Sequence, residues 1–275
     1  MSSVMITSRQ NQRVKDAVKL RDRRQRERQG RTLIDGGQEV SRAIAGGMRI
    51  VEAFVCEELL AATGSGGLSE ALANLGVDVA AVAPPVFEKL SFGDRLDGIV
   101  AVAETPPRPI GSLVVPANSI VAVLEGVEKP GNVGAVARTA DATGVSALVL
   151  ADGRTDLYNP NSIRASLGLL FSLPVAEASA AETLAWLCNA ELSIFVARPD
   201  ADLSHTDADF RGGGAVVLGS EAEGVSAAWH GPLVTPVRLP MLGTADSLNV
   251  SVAAAVLFYE ALRQRTGEWG DGEMG

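Results

Sequence analysis

Three polar segments in the second half of the chain hold the residues with the most chemical reach. The first reads Leu124-Glu125-Gly126-Val127-Glu128-Lys129-Pro130-Gly131-Asn132-Val133-Gly134-Ala135-Val136-Ala137-Arg138-Thr139-Ala140. An apolar strand empties into a Pro-Gly loop and then a helix, leaving free backbone N–H groups at a helix start, which suits an anionic group. Asn132 reads either as a helix cap or as a site residue, and Arg138 either as an anion holder or as half of a surface ion pair. A dinucleotide fingerprint requires glycine where the backbone approaches the pyrophosphate, and Val133 stands there. A nicotinamide-dependent dehydrogenase fails at that residue.

The second segment, Val216-Val217-Leu218-Gly219-Ser220-Glu221-Ala222-Glu223-Gly224, ends another apolar strand in glycine and carboxylates. A nucleophile elbow needs glycine two residues to either side of its serine, where Ser220 has Leu218 and Ala222. His205 and His230 leave a catalytic triad little to draw on. The third segment runs Leu239-Pro240-Met241-Leu242-Gly243-Thr244-Ala245-Asp246-Ser247-Leu248-Asn249-Val250-Ser251, with Asp246 or Ser247 available to cap the last helix. In open α/β sheets, loops at strand ends build the ligand site. Three such loops without histidine or cysteine limit the chemistry to positioning and electrostatics. Two cysteines, Cys56 and Cys188, and two distant histidines offer neither a disulfide framework nor metal-ligand spacing.

The elements that must position these loops follow from the hydrophobic pattern. Strands are expected at Thr32–Ile34, Ile50–Val55, Val77–Val82, Gly98–Ala103, Ser119–Leu124, Ala147–Leu150, Ser193–Val196 and Ala215–Leu218. Helices are expected at Gln38–Ala45, Leu68–Leu75, Pro84–Leu90, Asn132–Thr143, Ser162–Leu169, Ala180–Cys188 and Leu248–Arg265. The last carries Val252, Val256, Tyr259 and Leu262 along one face. Alternation of this kind predicts an α/β class. A chain of 275 residues, 47% of them hydrophobic, has room for two such layers. The stiff run Glu104-Thr105-Pro106-Pro107-Arg108-Pro109 divides it into a first domain over 1–104, a linker over 105–110, a second domain over 111–267 and a tail over 268–275. No apolar run reaches the ~18 residues of a membrane span and no secretory signal is visible, so a cytoplasmic protein is expected.

A net charge of −9 argues at first against a nucleic-acid partner. The charge is unevenly placed. Residues 1–31 hold ten basic and three acidic side chains, a net +7, and the remainder carries −16. Val14, Val18 and Leu20 give this basic segment a thin apolar stripe. The segment fits a polyanion face through Arg23, Arg24, Arg26 and Arg28, or else a solvated helix paired with the acidic remainder.

Taken in order, the three segments resemble the motifs of the SPOUT superfamily, in its TrmH/SpoU branch of RNA ribose 2'-O-methyltransferases. The likeness covers Ser119 to Arg265 and rests on Gly131-Asn132-Val133-Gly134-Ala135-Val136-Ala137-Arg138-Thr139-Ala140, on Gly219-Ser220-Glu221 with Gly224, and on Ser247-Leu248-Asn249-Val250-Ser251. Ile163-Arg164-Ala165-Ser166-Leu167-Gly168 with Phe171 and Pro174 also fits. The first domain resembles, more loosely, the SpoU substrate-binding domain, a small α/β module similar to ribosomal proteins that bind RNA; Asp35-Gly36 stands where a Glu-Gly pair is usual. The resemblance implies a C-terminal parallel sheet with a deep trefoil knot, and a homodimer through the C-terminal domain. S-adenosylmethionine would be held near Ala197, Gly219, Leu239, Met241, Leu248 and Asn249, with no metal.

It also implies methyl transfer to a ribose 2'-hydroxyl, in 23S rRNA first of all, resistance-type modifications included. A tRNA target is the alternative, and a non-catalytic RNA-binding module of the same fold is the rival of another class. Arg138 stands at the family's catalytic position, where accepting the proton and holding the ribose with its phosphate are both open. Asn132, Glu221, Ser247 and Asn249 would orient Arg138 and the ribose. Arg164 would contact phosphate from the partner subunit's side, beside the RNA contacts of Arg23, Arg24, Arg26 and Arg28.

Overall fold

The computed structural model describes residues 5–63, 67–92 and 96–267, so the tail expected over 268–275 lies outside the described residues. Contacts divide the chain into two compact units. One extends to Pro107 and includes Tyr158–Ser172; the other comprises Arg108–Leu157 and the residues from Leu173 onward.

In the first unit, period-two patterning builds a sheet with two buried faces. Its strands are β1 (Arg31–Asp35), β2 (Ile50–Val55), β3 (Asp78–Ala81) and β4 (Ile99–Glu104), in the order β1-β4-β2-β3. β4 runs antiparallel to both neighbours, and β3 is parallel to β2. Along β4, Ile99, Ala101 and Ala103 join one apolar cluster while Val100 and Val102 join the other. Around the sheet lie α1 (Gln12–Lys19), α2 (Arg23–Gln29), α3 (Gly37–Ala45), α4 (Glu57–Ala62), α5 (Gly67–Asn74) and α6 (Pro84–Leu90). The basic segment is therefore two helices. Asp22 caps the second, its side chain accepting the Gln25 N–H at 3.1 Å. Val14, Ala17 and Leu20 are buried with Leu33, Phe54 and Phe87, which anchors α1 on the sheet.

The second unit is a six-stranded sheet. β5 (Ile120–Glu125), α7 (Pro130–Thr143) and β6 (Ala147–Ala151) open it, and a helix α8 (Pro160–Ala165) then belongs to the first unit. β7 (Val175–Ala178), α9 (Ala180–Asn189), β8 (Ile194–Ala197), β9 (Gly214–Leu218), β10 (Val234–Val237) and α10 (Val250–Thr266) complete it. The order is β10-β8-β9-β5-β6-β7 and every pair is parallel. β5, β6 and β9 are buried along their whole length, as continuous apolar runs in a two-faced parallel sheet should be. The edge strands β7 and β10 carry no clear apolar pattern. Pro236 in β10 lacks an N–H and is tolerated because that strand lies at the edge.

Two expectations are corrected. Residues 158–172, placed by sequence in the second domain, pack in the first unit, where Ile163 and Phe171 join Ile34, Val40 and Ala43 in one cluster. Gly46 permits this: a Cβ there would stand 2.3 Å from the Phe171 carbonyl oxygen. The last helix starts at Val250 and not at Leu248, capped by Asn249, whose Oδ1 accepts the Ser251 N–H at 3.0 Å. α10 turns Ala254, Leu257, Phe258 and Ala261 inward, while Val252, Val256 and Tyr259 of the apolar face are exposed at 48%, 38% and 43%.

Candidate functional site

β9 lies between β8 and β5, so the chain builds outward from β5 through β6 and β7 and then resumes on β5's other side. In a parallel sheet this reversal opens a crevice at the strands' C-terminal ends. A cavity of about 400 Å3 sits there, within the second unit. Ala197 at the end of β8, Leu218 at the end of β9 with Gly219 to Gly224 after it, Leu239 and Met241 after β10, Ser247 and Leu248 before α10, and Val250 within it all line this cavity.

The loop after β9 is closed on itself. A Cβ at Gly219 would stand 2.0 Å from the backbone of Gly224, so only glycine lets the two segments cross. Ser220 makes the turn: its hydroxyl accepts the Glu223 N–H at 3.1 Å and its carbonyl accepts the Gly224 N–H at 2.9 Å. Buried Glu125, closing β5, accepts the Ser226 N–H at 2.7 Å and the Ser226 hydroxyl at 2.6 Å, which ties the loop's far end to the central strand.

Beside the cavity a polar network joins the starts of two helices. Glu221 accepts from Lys129 Nζ at 2.6 Å, from Asn132 Nδ2 at 3.0 Å and from Asn249 Nδ2 at 2.5 Å; Asn249 also donates to Asn132 Oδ1 at 3.3 Å. The Lys129 ammonium foremost, with the Asn132 amide and the Val250 N–H, holds the Glu221 carboxyl below its ordinary range; Glu221 in turn raises Lys129. Asn132 is thus no helix cap: α7 begins two residues earlier at Pro130, with proline in the first turn where its missing N–H costs nothing.

The structure brings Asn132, Glu221 and Asn249 together, and places Ala197, Gly219, Leu239, Met241, Ser247 and Leu248 around one cavity. Arg138 stays exposed on α7 outside the network, with no ion pair or hydrogen bond among the described residues. Arg164, on α8, faces buried Asp35 at 3.7 Å in the first unit. Of the N-terminal arginines, Arg24 and Arg28 are exposed and Arg23 pairs with Glu27 at 2.8 Å. Arg26 is corrected. It is 3% exposed and donates Nη1 to the carbonyls of Leu20 at 3.0 Å and Arg21 at 2.8 Å, so it fastens the end of α1.

Sequence reasoning passed over Glu125, Lys129, Arg154 and Glu223. Arg154, just past β6, bridges Glu128 and Glu223, two carboxylates that lie far apart in sequence. An acidic residue closing an otherwise apolar strand was a usable signal for Glu125; nothing local marks Arg154. Among the described residues, no helix is long and apolar enough to cross a membrane, and no group of three or more His, Cys, Asp or Glu is arranged to hold a metal ion.

Comparison with known proteins returns the same two halves. Residues 119–259 match the SpoU rRNA Methylase family, and residues 11–101 match the MRM3-like substrate binding domain. A 23S rRNA (uridine(2479)-2'-O)-methyltransferase of Streptomyces viridochromogenes is 30% identical over 259 residues, covering 90% of this chain and 87% of that protein. Among solved structures, an RNA 2'-O ribose methyltransferase superposes with a TM-score of 0.82 at 39% identity, covering 96% of this chain and all (100%) of that one. The SpoU methyltransferase AviRb from Streptomyces viridochromogenes, in complex with the cofactor AdoMet, gives 0.84 at 28% identity, covering 94% of this chain and 100% of its own. The chain belongs to the SpoU rRNA methylase family.

Proposed function

We propose that the chain transfers a methyl group from S-adenosylmethionine to a ribose 2'-hydroxyl of 23S rRNA. The observation that carries this reading is the cavity at the sheet's switch point, walled by all of the loops that hold the second and third motifs and bolted to the first through Glu221. The lining fits the donor. Leu218, Val237, Leu239 and Leu248 offer an apolar wall for a flat ring, and the backbone around Gly219 and the nearby carboxylates offer polar ends. When bound, S-adenosylmethionine supplies an activated methyl group.

The chain's own residues contribute alignment and charge. A displacement at carbon is geometrically demanding, so holding the acceptor oxygen in line supplies much of the rate. Exposed Arg138 is available to hold the ribose and its phosphate and to favour the hydroxyl's loss of its proton. A guanidinium stays charged, which makes holding a better role for it than accepting the proton. Glu221 is saturated with donors and kept ionised, which suits fixing Asn132 and Asn249 rather than taking a proton. Ser247 lines the cavity wall, which supports a role in orienting the acceptor.

The first unit is read as the RNA-binding domain, with Arg23, Arg24 and Arg28 on its surface and Arg164 as a further phosphate contact. A trefoil knot in the second unit belongs to the same reading, supported by the insertion of β9 between β8 and β5 and by likeness to SpoU methyltransferase structures. So does a cytoplasmic location, where a ribosomal substrate is found. A homodimer is supported by the apolar stripe Val252, Val256 and Tyr259 left uncovered on α10. Val256→Arg should then halve the mass measured by sedimentation equilibrium, and an unchanged mass rejects that interface.

The test of function is transfer of labelled methyl from S-adenosylmethionine to 23S rRNA, with primer extension to map the position. Label in tRNA instead moves the substrate. Donor binding without transfer to any RNA leaves the non-catalytic rival standing.

A further inference from the structure

The loop after β9 forms a cavity wall although little apolar burial holds it. Residues 221–224 are all exposed, yet each lines the cavity. Hydrophobic packing, the usual source of rigidity, is unavailable to them. Their two carboxylates leave the loop toward different partners. Glu221 engages Lys129, Asn132 and Asn249. Glu223, two residues on, engages Arg154 from the loop after β6, and the same guanidinium engages Glu128 from the loop after β5. β9, β5 and β6 are neighbours in the sheet, so three consecutive strand ends meet on one side chain. A planar fork with several donors can serve two carboxylates at once; an ammonium cannot match that geometry.

We propose that Arg154 is a positioning residue for the donor cavity: by holding Glu223 against Glu128 it keeps residues 221–224 in the shape that binds the methyl donor. The inference rests on reading the cavity as the S-adenosylmethionine site. Arg154 does not line the cavity, so its influence passes through Glu223, which does. Because the bridge is exposed, salt screens it, and part of the donor's affinity is lost as ionic strength rises.

The experiment titrates S-adenosylmethionine into the full chain by calorimetry, using wild type, Arg154→Met, Glu223→Gln and the double variant, at low and high salt. Each single variant should weaken binding about fivefold at low salt, the scale of an exposed ion pair. The double variant should be no weaker than either single, because both remove one interaction. High salt should erase most of the difference, and Arg154→Lys should restore part of it. Hydrogen exchange at the 221–224 amides should quicken in Arg154→Met while the sheet amides keep their protection. The proposal is overturned by wild-type affinity in Arg154→Met, by losses that multiply in the double variant, or by unchanged loop exchange. A wild-type chain that binds no donor rejects the reading of the cavity, and the exchange measurement still decides whether Arg154 fixes the loop.

Discussion

In the first unit, burial pushes carboxyls upward. Asp35 is raised to about 6 by loss of solvent, against the opposing pull of the Phe92 N–H and Arg164, with Asp97 and Glu39 adding to the rise. Glu52 is raised by burial even though Arg13 stands 2.5 Å away. In the second unit the site carboxylates move the other way: Lys129 holds Glu221 low and Arg154 holds Glu223 low. Asp35 and Glu52 stand against an apolar floor, where they secure packing; Glu221 and Glu223 stand nearer water, where they cross-link loops. Buried charge in the first unit is therefore a matter of stability, and charge around the second unit's cavity is a matter of geometry and catalysis.

Substitutions can break or sharpen that contrast. The largest effect is expected from Arg138→Ala, which should cost about 100-fold or more in methyl transfer, the scale of losing one donor to developing charge, with the unfolding transition unmoved. Transfer that survives undiminished removes Arg138 from the site.

Next comes Asp35→Asn, read by unfolding against pH. The folded unit holds the Asp35 proton more tightly than the unfolded chain does, so wild-type stability should fall as pH rises from about 4 to about 6, by roughly 3 kcal/mol at most. The asparagine variant should lose that slope. The Glu221 network has the opposite sign, complete above the carboxyl's ordinary 4.5 and lost as pH falls through its lowered value. A wild-type stability that rises with pH between 4 and 6 would place Asp35 in the same class as Glu221.

The smallest effects divide the N-terminal arginines. Arg26→Ala should destabilise by about 1–3 kcal/mol by stranding buried carbonyls, leaving the salt dependence of RNA binding as it was. Replacing Arg24 and Arg28 together should change stability by less than about 0.5 kcal/mol and flatten the salt slope by roughly 0.7–0.9 per charge. Equal slopes would return that surface to solvent.

The central strands of the site were readable because a two-faced parallel sheet writes itself as unbroken apolar runs. β5, β6 and β9 stand within a residue or so of where their composition puts them. β7 and β10 were not, since an edge strand has only one neighbour and tolerates Glu177 or Pro236. Which way α10 faces was equally hidden: it is apolar on more than one side, and periodicity cannot choose between them. The motif residues announced themselves by type and spacing. Arg154 did not, because its two partners are 26 and 69 positions away, a relation that exists only after folding. The ten basic residues before position 32 were countable, but the count could not tell Arg26, turned into the protein, from Arg24, turned out of it.

The first unit is interrupted. Its core needs Ile163 and Phe171, which are synthesised about sixty residues after Pro107. A chain emerging from a ribosome therefore cannot finish the first unit before β5, α7 and β6 have been made, and a fragment ending at Pro107 would carry an uncovered apolar floor. Order of manufacture and order of completion differ in this protein: the module begun first has to wait for a piece translated in the middle of the second.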